Sequence, residues 1–258
     1  MNSDRNAPPE ISLVVPVMNE EESVPALAEE ITDVMEGMGI GWECVWVNDG
    51  STDGTLEVLE REAVKRWPGR HRILDLDGNF GQSAALAAGF RAARAEIVAT
   101  LDGDGQNDPH DIPRLFERLQ RGDVDVVNGV RARRRDSLVR KVSSRIGNGF
   151  RNWATHESVS DVGCSMRVFR KQFVQDIVVW KGMHRFLPTL ARMRGARITE
   201  MPVNHRPRTR GVTKYGISNR LWVGLGDTLA VRWMQARLVW PRVRSVIESV
   251  DSAAGSEE

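Results

Sequence analysis

Short apolar runs alternate with amphipathic segments through the first 130 residues. Ile11–Val17, reading ISLVVPV, is apolar and β-branched, which predicts a buried strand. Asn19–Glu22 follow as acidic residues suited to a helix N-terminus, and a helix is expected through Leu27 to about Met35. Glu43–Val47 reads as a second strand, and the Asn48–Thr55 turn leads into a helix through Leu59 and Val64. Arg72–Leu76 reads as a third strand, Ala-rich Gly81–Ala93 as a helix, and Ile97–Leu101 as a strand ending at Asp102. Pro113–Arg121 is then helical and Val124–Asn128 a further strand. This alternation predicts an α/β fold, a Rossmann-like, mostly parallel sheet with helices on both faces. In such sheets ligands bind at the carboxyl edge of the strands. The acidic clusters Asn48–Asp53 and Asp102–Asp104 both fall at strand carboxyl ends.

The pattern changes beyond residue 130. Leu138, Val142, Ile146, Phe150 and Trp153 share one helical face, with Arg140, Lys141, Arg145 and Arg151 around it. Two readings fit: a helix lying in a membrane interface, or a core-packing helix with a basic outer face. Ile217–Trp240 is a second such segment, with Leu221, Leu225, Leu229 and Trp233 spaced by fours and Trp222 and Trp240 beside them. The expected organisation is a flexible N-terminus at 1–10 and a main domain at 11–216. An amphipathic C-terminal helical segment at 217–244 and a flexible tail at 245–258 complete it. Amphipathic basic helices thus complete the C-terminal side of the fold.

Composition adds an asymmetry. Hydrophobic residues make up 41% and charged residues 28%, the balance of an ordinary globular chain. No apolar run reaches the length of roughly eighteen residues that a spanning helix needs, and MNSDRNAPPE is not a secretory leader. The expectation is a cytoplasmic protein with peripheral membrane association. Cys44 and Cys164 have no metal-type spacing and read as reduced thiols. The net charge of +1 conceals 11 basic against 25 acidic residues in 1–130, and 25 basic against 10 acidic in 131–258. Two solvated faces of opposite sign would account for this. So would a carboxylate-bearing metal site in the first half and a phosphate- or lipid-facing basic surface in the second.

Asp102-Gly103-Asp104 is the chemical centre of the chain. Two carboxylates at a strand end can hold one divalent cation, Mg²⁺ or Mn²⁺, which can bridge the phosphates of a nucleoside diphosphate. A lone D-x-D is more often a solvated turn. Here it follows the apolar run IVATL and precedes Gln106, Asn107, Asp108 and Pro109. Asn48–Gly54 reads as a capped helix start that also suits a nucleotide.

These residues resemble a known family. Val15–Glu20 (VPVMNE), Asn48–Gly54 (NDGSTDG) and Asp102–Gln106 (DGDGQ) look like signatures of the family 2 glycosyltransferases, which have the GT-A fold. Asn79–Gln82 (NFGQ), Asp161–Phe169 (DVGCSMRVF) and Arg208–Tyr215 (RTRGVTKY) resemble the polyprenyl-phosphate branch, typified by dolichol-phosphate mannose synthase. The resemblance runs from about residue 11 to about 240. It implies a catalytic set of Asp104, Asp161 and Arg131, with Asp102 and Asp104 as metal ligands. It implies nucleotide-sugar contacts at Pro16, Met18, Glu20, Asn48, Asp49, Asp102, Gly103 and Gln106, and at Arg208 and Lys214 on a basic, glycine-hinged loop. The implied substrates are a GDP- or UDP-sugar, mannose being the first guess, and a dolichyl or undecaprenyl phosphate at the cytoplasmic membrane face. The chain would reach the lipid either by surface contact or through a membrane-anchoring partner subunit, and no nucleic-acid partner is implied. Three departures stand out: Met18 for the family's frequent Tyr, Asn48 for Asp, and Gly103 and Gly105 for bulkier residues. The last would keep both carboxylates and loosen their loop.

A phosphate monoester is largely dianionic near neutral pH, with a second pKa of about 6, and needs no base to activate it. Asp161 is therefore better cast as an orienter or as a partner for an arginine. An in-line displacement inverts the anomeric centre. Two rival classes remain: a family 2 enzyme extending a saccharide, and a non-catalytic membrane or nucleic-acid binding module built on the basic half. None of the five histidines has metal-ligand spacing, and His184, on a partly apolar segment, reads as structural.

Overall fold

The structure, a computed structural model, describes residues 8–132, 149–155, 157, 159–207 and 220–240. Seven strands make one sheet: β1 (Ile11–Val17), β2 (Trp42–Asn48), β3 (His71–Asp75), β4 (Ile97–Thr100), β5 (Val126–Arg131), β6 (Arg167–Arg170) and β7 (Ile198–Val203). Their order is β3-β2-β1-β4-β6-β5-β7. All neighbours are parallel except β6, which runs antiparallel between β4 and β5. The expected mostly parallel sheet is therefore present. The antiparallel β6 begins inside the Asp161–Phe169 motif and carries no period of its own in the sequence.

Helices cover both faces. α1 (Val24–Gly37), α2 (Thr55–Leu59) with its π-helical continuation Glu60–Val64, and α4 (Ile112–Gln120) pack on one side. α3 (Gln82–Ala92) and α6 (Leu187–Met193) pack on the other. A short helix at 149–155, here α5, and α7 (Arg220–Arg237) lie on the C-terminal side. β1 is apolar throughout because both faces are covered: Ile11, Leu13, Val15 and Val17 enter one core and Val14 the other.

One buried network fixes the outer sheet. Trp46 Nε1 donates to His71 Nδ1 at 3.0 Å. The ring proton then sits on Nε2 and donates to Thr32 Oγ1 at 3.0 Å, whose hydroxyl donates to the Ala28 carbonyl at 2.7 Å. Trp42 and Trp67 pack around the same ring. Burial pulls the His71 pKa down to about 4, so the ring stays neutral.

The strand order also locates the site. From β1 the chain moves outward to β2 and β3, then crosses back to β4 on β1's other side. The carboxyl ends of β1 and β4 thus flank a switch point, where the two crossovers leave a crevice. Pro16, Val17 and Asp102 lie at these ends.

Candidate active site

Asp102 stands two residues beyond the end of β4. Its Oδ1 accepts from Gln82 Nε2 at 2.7 Å, and Ser165 Oγ lies 2.7 Å from its Oδ2. Its backbone N–H donates to Asn107 Oδ1 at 2.7 Å, closing the loop on itself. Asp104, partly exposed, accepts from the Gln106 N–H at 3.1 Å. Burial pushes the Asp102 pKa up to about 6, and the neighbouring Asp104 charge adds to the shift. Two carboxylates crowded in this way form a hard-oxygen donor set whose repulsion a divalent cation would relieve, so the residues fit such an ion.

Gly103 does not loosen this loop, contrary to the expectation. It is buried, and a Cβ there would lie 2.5 Å from Val17 Cγ1 and 3.0 Å from the Pro16 carbonyl oxygen. The absence of a side chain lets the acidic loop seat on the end of β1.

The Asp161–Ser165 loop joins two chemistries. Asp161 is buried and takes Arg131 Nε at 2.7 Å and Nη2 at 2.8 Å, a bidentate pair. Four residues later, Ser165 reaches Asp102. One loop therefore holds both the arginine at the end of β5 and the first carboxylate after β4.

The residues expected on the nucleotide side cluster at the ends of β1 and β2. Asn19 adopts φ 52°, its N–H donates to Ser51 Oγ at 2.9 Å, and its Oδ1 accepts from the Thr52 N–H at 2.8 Å. Asn is among the residues that tolerate this left-handed conformation. Met18 and Glu20 are partly exposed on the same loop, and so is Pro16 near the end of β1. Asn48 and Asp49 turn inward instead. Asn48 Nδ2 donates to Asp75 at 2.7 Å, and its Oδ1 accepts from Ser51. The two oxygens of Asp49 accept the Phe80 and Gly81 N–H groups, each at 2.8 Å. Asp49 thus holds the β3–α3 loop, and Asn48 ties the end of β3 to the turn after β2. Gly50 permits the approach: at φ +64°, a Cβ there would stand 2.4 Å from the Gly78 carbonyl carbon.

Gln106 sits against the strap at 205–207. Arg206 N–H donates to the Gln106 carbonyl at 2.8 Å, and Asn107 pairs with His205 in an isolated bridge. Arg206 also pairs with Glu30 and Asp108. Arg208 and Lys214 lie outside the described residues, as do Arg133–Arg135 and the first part of the helix expected at 137–155.

Residues 12–178 match the glycosyl transferase family 2. The chain belongs to this family. Among its family relatives, a dodecaprenyl-phosphate galacturonate synthase of Rhizobium johnstonii is 42% identical over 86% of this chain and 66% of its own length. An undecaprenyl-phosphate 4-deoxy-4-formamido-L-arabinose transferase of Edwardsiella ictaluri is 39% identical over 80% of this chain and 63% of its own length. The family 2 chain thus spans just under two thirds of these relatives. Among solved structures, the glucosyl-3-phosphoglycerate synthase of Mycobacterium tuberculosis with Mn²⁺ and uridine-diphosphate-glucose aligns at TM-score 0.64. Identity is 17%, covering 90% of this chain and 80% of that one. A mannosyltransferase of Pyrobaculum calidifontis with GDP-Man and Mn²⁺ aligns at 0.59 and 20%, covering 90% and 65%. At such identity these two speak for the fold, and they agree with the GT-A architecture expected of the family.

Several residues around the acidic pair carry no signal in the sequence. Gln82, Ser165 and Asn107 position Asp102, yet each is an ordinary polar residue inside a motif. Arg167 is buried, with Nε donating to Asn128 Oδ1 at 2.8 Å, Nη1 to the His184 carbonyl at 2.8 Å and Nη2 to the Val162 carbonyl at 2.9 Å. Burial lowers its pKa, and the Asp102 and Asp161 charges oppose that shift.

Among the described residues, no helix is long and apolar enough to cross a membrane. On α7, Thr228 and Val231 face inward, whereas Leu229 is 60% and Trp233 62% exposed. Of the apolar stripe expected there, Leu229 and Trp233 point away from the core and Leu225 is half-buried. Trp153 on α5 is 75% exposed, and α5 and α7 touch through Gln235 Nε2 and the Thr155 carbonyl at 2.8 Å. Arg151, expected on the basic outer face of α5, is buried with Nη2 donating to the Val159 carbonyl, and α7 presents Arg232 and Arg237 as exposed cations.

Proposed function

We propose that this chain transfers a glycosyl group from a nucleoside-diphosphate sugar to a polyprenyl phosphate, with inversion, at a membrane surface. The observation that carries the reading is the Asp161–Ser165 loop, which ties the Arg131 guanidinium to the Asp102 carboxylate. Family membership and the names of the two relatives point the same way. A divalent cation, Mg²⁺ or Mn²⁺, would be held by Asp102 and Asp104 and would neutralise the diphosphate as it leaves.

The remaining work falls to the chain's own side chains. Gln82 and Ser165 orient Asp102. The acceptor phosphate is dianionic and needs no general base. Arg131 receives it, and Asp161 keeps the guanidinium plane in place rather than abstracting a proton. Gln106 stands beside the acceptor phosphate, and Arg208 and Lys214 close on the diphosphate. Base recognition falls to Pro16, Met18 and Glu20, because the ends of Asn48 and Asp49 are engaged inside the protein. The relatives' names carry a uronic acid and a formamido-pentose, so these donors precede the first-guess mannose in any test. Their names likewise favour undecaprenyl or dodecaprenyl over dolichyl phosphate.

The exposed Leu229, Trp233 and Trp153, with Arg232 and Arg237 nearby, would rest in the lipid interface at the cytoplasmic side, giving peripheral association. An anchoring partner subunit is the alternative route to the lipid, and vesicle binding by this chain alone separates the two. Calorimetry with UDP and GDP in Mn²⁺ tests the donor half. Metal-dependent binding of one nucleotide, lost in Asp104→Asn, supports the reading; binding indifferent to chelator removes it.

A further inference from the structure

Hydrogen-bond bookkeeping around His184 assigns it a task. Ser83 Oγ accepts two backbone donors, Gly182 N–H at 3.2 Å and His184 N–H at 3.3 Å. A hydroxyl oxygen has two acceptor sites and one hydrogen. With both sites filled, Ser83 must donate that hydrogen to His184 Nδ1, 3.0 Å away. The ring proton is therefore on Nε2, and His184 is a neutral donor.

That donor has no hydrogen-bond partner among the described residues, and it is not sealed in the core. A ring locked by a serine presents a fixed, accessible donor that water fills in the free protein and a ligand oxygen can take over. Burial and the charges of Arg185 and Arg167 hold the ring neutral, with the pKa near 4. The ring keeps this form across physiological pH.

Its place in the fold links it to the acidic pair. Ser83 follows Gln82, whose amide holds Asp102. The His184 carbonyl accepts from Arg167, which also reaches Val162 in the Asp161–Ser165 loop. Two hydrogen bonds and one peptide unit thus separate His184 from the carboxylate assigned to the donor diphosphate. We infer that His184 Nε2–H is a specificity-determining donor to an oxygen of the transferred sugar, while Ser83 and Gln82 keep sugar and diphosphate in register. This rests on the nucleotide-sugar reading of the site.

Two variants isolate the donor. In His184→Asn the amide reaches Ser83 but falls short of the Nε2 position; in His184→Gln it reaches that position. Binding to UDP, UDP-galacturonic acid, UDP-glucose and GDP-mannose is measured with Mn²⁺, and thermal midpoints confirm folding. His184→Asn is expected to weaken the best-bound nucleotide-sugar by about tenfold, the scale of one neutral hydrogen bond, and to leave UDP or GDP alone unchanged. His184→Gln should restore most of the affinity. Equal losses for nucleotide and nucleotide-sugar, or no loss in His184→Asn, would overturn the assignment. If the wild-type chain binds none of the four, the donor-site reading itself fails, and this inference with it.

Discussion

Asp161 grips Arg131 through two parallel hydrogen bonds, of 2.7 and 2.8 Å, from a buried carboxylate. The geometry is that of a positioning pair. Asp161→Asn should lower kcat/KM for the lipid acceptor by roughly 10- to 100-fold, since it weakens the hold on a partly buried charge, and should leave nucleotide affinity intact. Initial rates at varied lipid, alongside calorimetry, check both halves. An equal fall in nucleotide affinity would show that Asp161 supports the whole site.

Asp102 carries a cost in the metal-free protein. Its folded pKa, about 6, lies above the ordinary value of 3.8. The sign follows: relative stability is greatest below 3.8 and is lost as pH rises through 6. Asp102→Asn should therefore stabilise the metal-free chain at pH 7 by on the order of 1–3 kcal/mol. The same change should abolish Mn²⁺-dependent nucleotide binding. Wild-type affinity for Mn²⁺ should also decline below pH 6 as a proton competes for the carboxylate. Denaturant melts with and without chelator, and a pH series, test these together; an Asn variant less stable at pH 7 contradicts the account.

His71 predicts acid lability elsewhere in the molecule. Its pKa falls from 6.5 to about 4 on folding, so the unfolded chain takes up the proton first. Stability is complete above pH 6.5 and is lost as pH drops toward 4, by roughly 3 kcal/mol over the whole window. His184 adds to the loss with the same sign. Urea midpoints at pH 7 and pH 5 should separate, and His71→Gln should shrink the gap. An unchanged gap in that variant would mean the network does not govern acid stability.

Gly103→Ala places a methyl 2.5 Å from Val17 Cγ1. Overpacking on this scale typically costs about 1–3 kcal/mol. The strain falls on the loop between Asp102 and Asp104, so metal affinity should drop together with the thermal midpoint. A variant that melts like wild type and binds Mn²⁺ normally would show that the loop has room to yield.

Trp233 and Leu229 test the lipid-facing side. Trp233→Ser with Leu229→Ser should reduce binding to vesicles containing anionic lipid by at least tenfold, given about 1.5–3 kcal/mol for each large apolar side chain buried. Nucleotide binding in solution should be untouched. Unchanged vesicle binding would turn attention to Trp153 and the basic segment at 133–135.

Much of this was legible in the residues. The strands that frame the site, β1, β2 and β4, are buried on both sides, and such strands read as continuous apolar runs. Asp102 and Asp104 stood out because they follow one of those runs. The second half was harder to read. β6 is four residues long and antiparallel, too short for a period, and its pairing depends on contacts far along the chain. Gln82, Ser165 and Arg167 matter through what they touch in three dimensions. Asn48 and Asp49 show the converse: their residue types suit a nucleotide, yet their inward rotamers, fixed by Asp75 and by the Phe80 and Gly81 amides, are invisible in sequence. The stripe on α7 was visible, but only packing could tell which way it faced.

The central claim is transfer to a lipid phosphate. Its most direct test incubates the chain with undecaprenyl phosphate and one labelled donor at a time, beginning with UDP-galacturonic acid and a UDP-4-deoxy-4-formamido-arabinose and continuing to GDP-mannose. Each reaction is run with Mn²⁺ or Mg²⁺ and again with chelator. The account predicts label entering an acid-labile lipid from one donor, dependent on the metal and on Asp104. Label passing instead to a soluble saccharide with no lipid present would contradict it.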